Sequence, residues 1–241
     1  MTSDANQFVA DIARLDTAVK GGDLAGAKAA ELDAQADFDL IRQVDAASPQ
    51  NVASLDELAG EVPPGATLGG LHALERDLWA SGDAAADLPS LQAQTTVAAY
   101  LVAKQSLAPA TIVAVAVADL GGTVDDAILE RAEPYSHHDD VDIAAYVSAA
   151  QQAFTTVRPL ACALDARECQ IATSDLSQLG ASVEALGIPA NVTDSALSAP
   201  VQHALFEKID RTADALSNLE APLLPFGTAG PQPYGAAGPS S

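Results

Sequence analysis

The sequence is short of aromatic residues and of positive charge. Phe, Trp and Tyr make up 4% of its 241 positions, a low share that disfavours a sheet core, and no segment sustains the two-residue alternation of a half-buried strand. Lysine and arginine number 11 against 33 acidic residues, a formal net charge of −22. Such a field repels phosphate backbones and anionic bilayers, which excludes nucleic acid and the membrane surface as direct partners. It draws in cations and basic proteins instead. Long apolar runs are missing too: the longest uncharged one, Leu107 to Ala118, falls well short of the roughly 20 residues that cross a bilayer. The first residues, Met1-Thr2-Ser3-Asp4-Ala5-Asn6, lack the basic start and apolar stretch of a signal peptide. Also absent are the His-Glu-x-x-His signature of zinc peptidases, the Gly-x-Ser-x-Gly elbow and the phosphate-binding loop, so three familiar routes to catalysis have no motif here.

What is abundant is alanine. With 49% hydrophobic residues the chain is too apolar for a disordered acidic tail, and its small side chains favour closely packed helices. Apolar residues recur at helical spacing from Phe8 to Val19 and from Leu24 to Ala46, parted by Gly21-Gly22-Asp23. A long connection follows from Ser48 to Thr67. Further helices are expected from near Thr67, from Ser90 to Gln105, from Pro109 to the Gly121-Gly122 pair, from Val124 to Ala132, from Val141 to Leu164, from Glu168 to Leu186 and from Asp194 to Leu219. The fold class is therefore all-α. The Pro- and Gly-rich stretch 222–241 reads as a flexible tail.

Cysteine occurs twice. Cys162 and Cys169 flank an expected turn between two helices, and a bond between them would staple the hairpin tip, worth about 2.5 kcal/mol on a chain-entropy argument. Two free thiols or a metal-binding pair are the alternatives. The disulfide is the preferred reading, and it places the protein in an oxidising compartment outside the cytoplasm.

Histidine occurs four times, and one copy stands in a pattern with chemical meaning. In Gly70-Leu71-His72-Ala73-Leu74-Glu75 the imidazole and the carboxylate are three residues apart, which on a helix puts them on one face within reach of a single cation. A surface histidine beside a surface glutamate is the plain alternative. A metal site needs further ligands from other helices, and the sequence offers Asp33, Asp37 and Asp39, then Asp83 and Asp87, then a cluster of Glu130, Glu133, His137, Asp139 and Asp140. Carboxylates with one imidazole suit iron, manganese or zinc rather than copper(I). Tyr135, His137 and His138 read equally as ligands or as packing at a helix start. Trp79 reads as a core anchor and His203 as a packed or surface residue.

The segment Gly70-Leu71-His72-Ala73-Leu74-Glu75-Arg76-Asp77-Leu78-Trp79 resembles the Gly-x-His-x-x-Glu segment of imelysin-like proteins, in the form seen in EfeO-type iron-uptake proteins. A second block, Tyr135-Ser136-His137 with Asp139 and Asp142, then Arg158-Pro159-Leu160, is similar to a block of the same family, and Phe8 to Ala30 matches more weakly, chiefly over Ala18 to Leu24 and Ala27 to Ala30. The matches run in the family's order over most of residues 8 to 220.

The resemblance implies two packed four-helix bundles over 1–221, with their boundary near 121–123, and the shorter EfeM-like form without a cupredoxin domain. It implies a periplasmic or cell-surface protein whose signal segment, and any lipid anchor, is missing from this sequence. It would capture iron, with zinc or copper as other cofactors, for a membrane permease of the EfeUOB type and its peroxidase-like companion. His72 and Glu75 correspond to the family's metal pair. Asp39, Asp83, Asp87 and Glu133 are the expected supporting ligands, with His137, Asp140, Tyr135 and Trp79 around them. Two positions depart from the pattern: Arg42 stands where the family has glutamate, and Asp140-Val141 replaces Leu-Trp. The expected protein is not an enzyme; a zinc-dependent metallopeptidase and a cation-bridged binder of acidic polysaccharide are the rival functions.

Overall fold

A computed structural model describes residues 2–42, 54–55, 57, 62, 67–82, 84–123, 133–187 and 197–224. Among them the chain is helical, with no strand: α1 is Thr2–Gly21, α2 Leu24–Ile41, α3 Gly70–Arg76, α4 Leu88–Lys104, α5 Pro109–Ala118, α6 Asp139–Leu164, α7 Ala166–Glu184, α8 Ala199–Ser217 and α9 Glu220–Leu223. The all-α expectation holds. Wider π-type turns extend α3 through Asp77–Ser81 and α5 through Asp119–Thr123. The expected helix at Val124 to Ala132 lies outside the described residues.

Local chemistry fixes several of these ends. Asp23 caps α2 by accepting the Gly26 N–H at 3.0 Å, and Asp165 caps α7 by accepting the Arg167 and Glu168 N–H groups, both at 3.0 Å, which offsets donors a helix start leaves unpaired. Asp165 is the single residue between α6 and α7, so the hairpin turns sharply there. Cys162 and Cys169 are bonded across it, as the spacing led us to expect.

The helices close into two rings. In the first, α1 packs on α2 and α4, and α3 bridges α2 and α4; in the second, α5, α6, α7 and α8 pack in sequence and α8 returns to α5. Phe8 of α1 meets Phe38 of α2 with ring centroids 5.6 Å apart, and a core of Leu15, Leu71, Leu74 and Leu91 fills the first ring. Leu120, Ile143, Tyr146, Leu179 and Ile209 belong to the second core. The apolar residues of the first core end at Val102 and those of the second begin at Ala110. The 105–108 connection thus lies between the two cores, and the apolar face of α5 is spent on α6 and α8. Helix α2 also packs against α6 and so joins the two rings. Pro222 and Leu223, assigned to the tail on composition, lie in α9, and Leu223 is fully buried; 225–241 lie outside the described residues. None of the described helices is long and apolar enough to cross a membrane.

Candidate metal centre

The His72 helix begins at a backbone position that only glycine fills well. Gly70 has φ 70°, and a Cβ there would collide with the Leu55 carbonyl; Gly69 donates its N–H to Glu57 Oε2 at 3.2 Å. This close approach sets the start of α3. One turn later His72 and Glu75 point inward together, 2% and 0% exposed. The surface-pair alternative is thereby removed.

The third member comes from across the ring junction. Glu133, 1% exposed, brings Oε1 within 3.4 Å of His72 Nδ1, while Glu75 Oε2 lies 3.9 Å from the same nitrogen. One ligand atom from each of His72, Glu75 and Glu133 fits within a set whose members are all within 4.8 Å of one another, a grouping that could hold a metal ion. Glu75 has a second task, since its Oε1 accepts the N–H groups of Tyr135 at 2.8 Å and Ser136 at 2.6 Å. These bonds pin the 133–138 segment to α3. Ser136 Oγ donates to Glu133 Oε2 at 3.1 Å, and the Glu133 N–H donates to Asp139 Oδ1 at 3.2 Å. The remaining oxygens, Glu75 Oε2 and Glu133 Oε1, accept no hydrogen bond from any other described residue; the two carboxyls can share only a proton of their own.

The electrostatics follow from burial. Glu133 is held well above the usual carboxylate range, first by burial and then by the charges of Asp142, Glu75 and Glu31. Glu31 of α2 is raised likewise by burial and then by Glu75, with His72 opposing. Several acids around one imidazole cannot all ionise without a compensating cation. The chemistry of the donor set, a ring nitrogen and carboxylate oxygens with unmet acceptor capacity, fits a metal ion.

The other expected residues are placed differently. Asp39 is buried but lies outside the three-member group, with Oδ1 3.8 Å from Arg42 Nη1; Arg42 also donates to the Tyr146 hydroxyl at 3.2 Å. Asp87 precedes α4 in the company of Asp77 and Arg76, and its carboxyl is raised by partial burial and by a hydrogen bond with Asp77. It is likewise no member of the group, because the turn ahead of α4 carries it to that outer cluster. Asp83 and Glu130 lie outside the described residues.

Tyr135 contributes its backbone N–H rather than its ring. His137, with φ 55°, is half-buried, whereas His138 is the fully buried neighbour. The His138 ring stands edge-on to Trp79, centroids 6.5 Å apart, and its Nδ1 is 3.8 Å from Asp140 Oδ1. Trp79 is partly buried, with Lys28 Nζ 4.6 Å above its ring. His203 is exposed beside Glu207.

Glu31 and the structural part played by Ser136 were not foreseen. For Glu31 a signal existed: α2 buries Ala27, Ala30, Ala34, Phe38 and Ile41, and an acid at position 31 lies on that inward face. No family model matches the chain, and no curated protein is significantly similar to it.

Proposed function

We propose that the protein captures a metal ion, iron first among the candidates, at His72, Glu75 and Glu133 outside the cytoplasm and yields it to a membrane permease. The observation that carries this reading is the buried convergence of one imidazole and two carboxylates, two of whose oxygens accept no hydrogen bond from any other described residue. His72 Nδ1 would bind as a neutral nitrogen, and the carboxylates would supply oxygen donors and charge. The −22 chain concentrates cations around this site. Nitrogen and oxygen donors favour iron, manganese or zinc, and the disulfide supports an oxidising compartment. The delivery step and the accompanying permease and peroxidase-like partner rest on the resemblance to EfeO-type proteins.

Release is built into the same chemistry, since protons compete with the ion for every ligand. A peptidase would need a base besides its ligands, and Glu75 is committed to the Tyr135 and Ser136 N–H groups. The reading is therefore non-enzymatic.

Thermal unfolding after chelation, then with ferrous, ferric, zinc, manganese and copper ions added separately, tests it. A metal-selective rise in Tm is expected, about 2.7 kcal/mol of stabilisation at an ion concentration 100 times Kd, and it should vanish in His72→Ala. Equal rises in wild type and variant would remove the site from the account.

A further inference from the structure

Resting on the reading of His72, Glu75 and Glu133 as a metal site, we propose that Glu31 is a fourth ligand, making the donor set one imidazole and three carboxylates and directing the site to hard, oxygen-preferring cations. Glu31 sits in the middle of α2 and is 0% exposed. Neither of its carboxylate oxygens has a hydrogen-bond partner among the described residues, and no lysine or arginine of those residues pairs with it. Its stripe-mate two turns along, Asp39, has Arg42 at 3.8 Å. A buried carboxylate of that kind costs several kcal/mol unless a cation faces it. Protonation does not resolve the matter, because a neutral acid there would also bury a hydroxyl without an acceptor.

Glu31 is not among the atoms that already lie within 4.8 Å of one another, so binding through it requires its side chain to close onto the ion; its neighbours are the right ones for that. Helix α2 packs against α3, which carries His72 and Glu75. The charge of Glu75 adds to burial in raising the Glu31 carboxyl while His72 opposes it, and Glu31 in turn helps raise Glu133, so Glu31 is electrostatically close to the group. A fourth ligand from α2 would bring the donor set to four, and four protein donors match a closed coordination shell better than three.

The donor set then carries up to three negative charges when ionised. That suits ferric, ferrous or manganous ions. Sulfur is unavailable, since the lone methionine is Met1 and both cysteines are bonded to each other, so copper(I) has no preferred ligand.

Cobalt(II) serves as the probe, because its visible absorption reports the coordination sphere and a competing chelator dye gives its affinity. Wild type, Glu31→Gln, Glu31→Asp and His72→Ala are compared, each checked for helix content by circular dichroism. Glu31→Gln keeps the shape and removes a buried charge, so the metal-free fold is retained. Glu31→Asp keeps the charge but withdraws it by one methylene, which separates a ligand from a mere negative neighbour. We expect one cobalt per wild-type chain, with both Glu31 variants weakened at least tenfold and their absorption bands altered. Wild-type affinity and an unchanged band in Glu31→Asp would overturn the role of Glu31 and leave the three-residue site standing. Absence of cobalt binding by the wild type, or unchanged binding by His72→Ala, would overturn the site itself and this inference with it.

Discussion

Glu75→Ala should abolish metal binding and, in addition, destabilise the metal-free protein by about 3 kcal/mol or more. The carboxylate has two separable duties. Oε2 faces His72 Nδ1 at 3.9 Å, whereas Oε1 accepts two backbone N–H groups from a segment about 60 positions later in the chain. Each such bond to a charged acceptor contributes about 1.5–3 kcal/mol, and truncation leaves the Ser136 N–H buried without its acceptor. The 133–138 segment would lose its anchor to α3, and Glu133 would lose its position with it. Glu75→Gln tells the two duties apart, since its amide oxygen can still accept from Tyr135 and Ser136. Urea unfolding in the presence of chelator should place Glu75→Gln close to wild type and Glu75→Ala well below. Neither variant should show a metal-induced rise in Tm. A metal-free Glu75→Ala as stable as wild type would mean that the anchoring is energetically idle.

The second large effect is a reversal of pH dependence on binding metal. Glu31 and Glu133 are both held well above the ordinary carboxylate range, chiefly by burial and then by neighbouring acids. In the window between the unfolded and folded pKa values the folded state keeps protons that the unfolded chain has lost. Stability of the metal-free protein is therefore greatest below that window and falls as pH rises through it. A bound ion replaces those protons and favours the ionised forms, so stabilisation by metal should grow over the same range. Urea unfolding from pH 5 to 8 should give slopes of opposite sign with chelator and with saturating metal. Self-repulsion of a −22 chain adds to the metal-free trend. Glu133→Gln isolates the site's share, and should flatten the slope by up to about one proton. An unaltered slope in that variant would show that the site carboxyls do not govern the trend.

How much of this was legible beforehand can be traced to particular residues. The helices followed from apolar spacing and from Gly-Gly and Pro breaks, and the α6 to α7 hairpin with its disulfide followed from the turn between Cys162 and Cys169. His72 and Glu75 stood out because an inward i, i+3 pair is a local pattern. Glu133 was one acid in a cluster by its spacing and a supporting ligand only by resemblance, since its approach to His72 depends on a contact spanning some 60 residues. Asp39 and Asp87 failed as members of the group for a related reason: sequence spacing gives the face of a helix but not the neighbour that face meets, and Arg42 and Asp77 occupy those faces. Glu31 was hidden among alanines in an acidic chain, where one more glutamate attracts no notice until its burial is known.

Location of the ion tests the central claim most directly. Anomalous diffraction at the metal's absorption edge, from crystals of the chelated protein reloaded with iron or manganese, should give one strong peak among His72 Nδ1, Glu75 Oε2 and Glu133 Oε1. No peak at that junction, or a dominant peak on the outer acidic surface, would contradict the account.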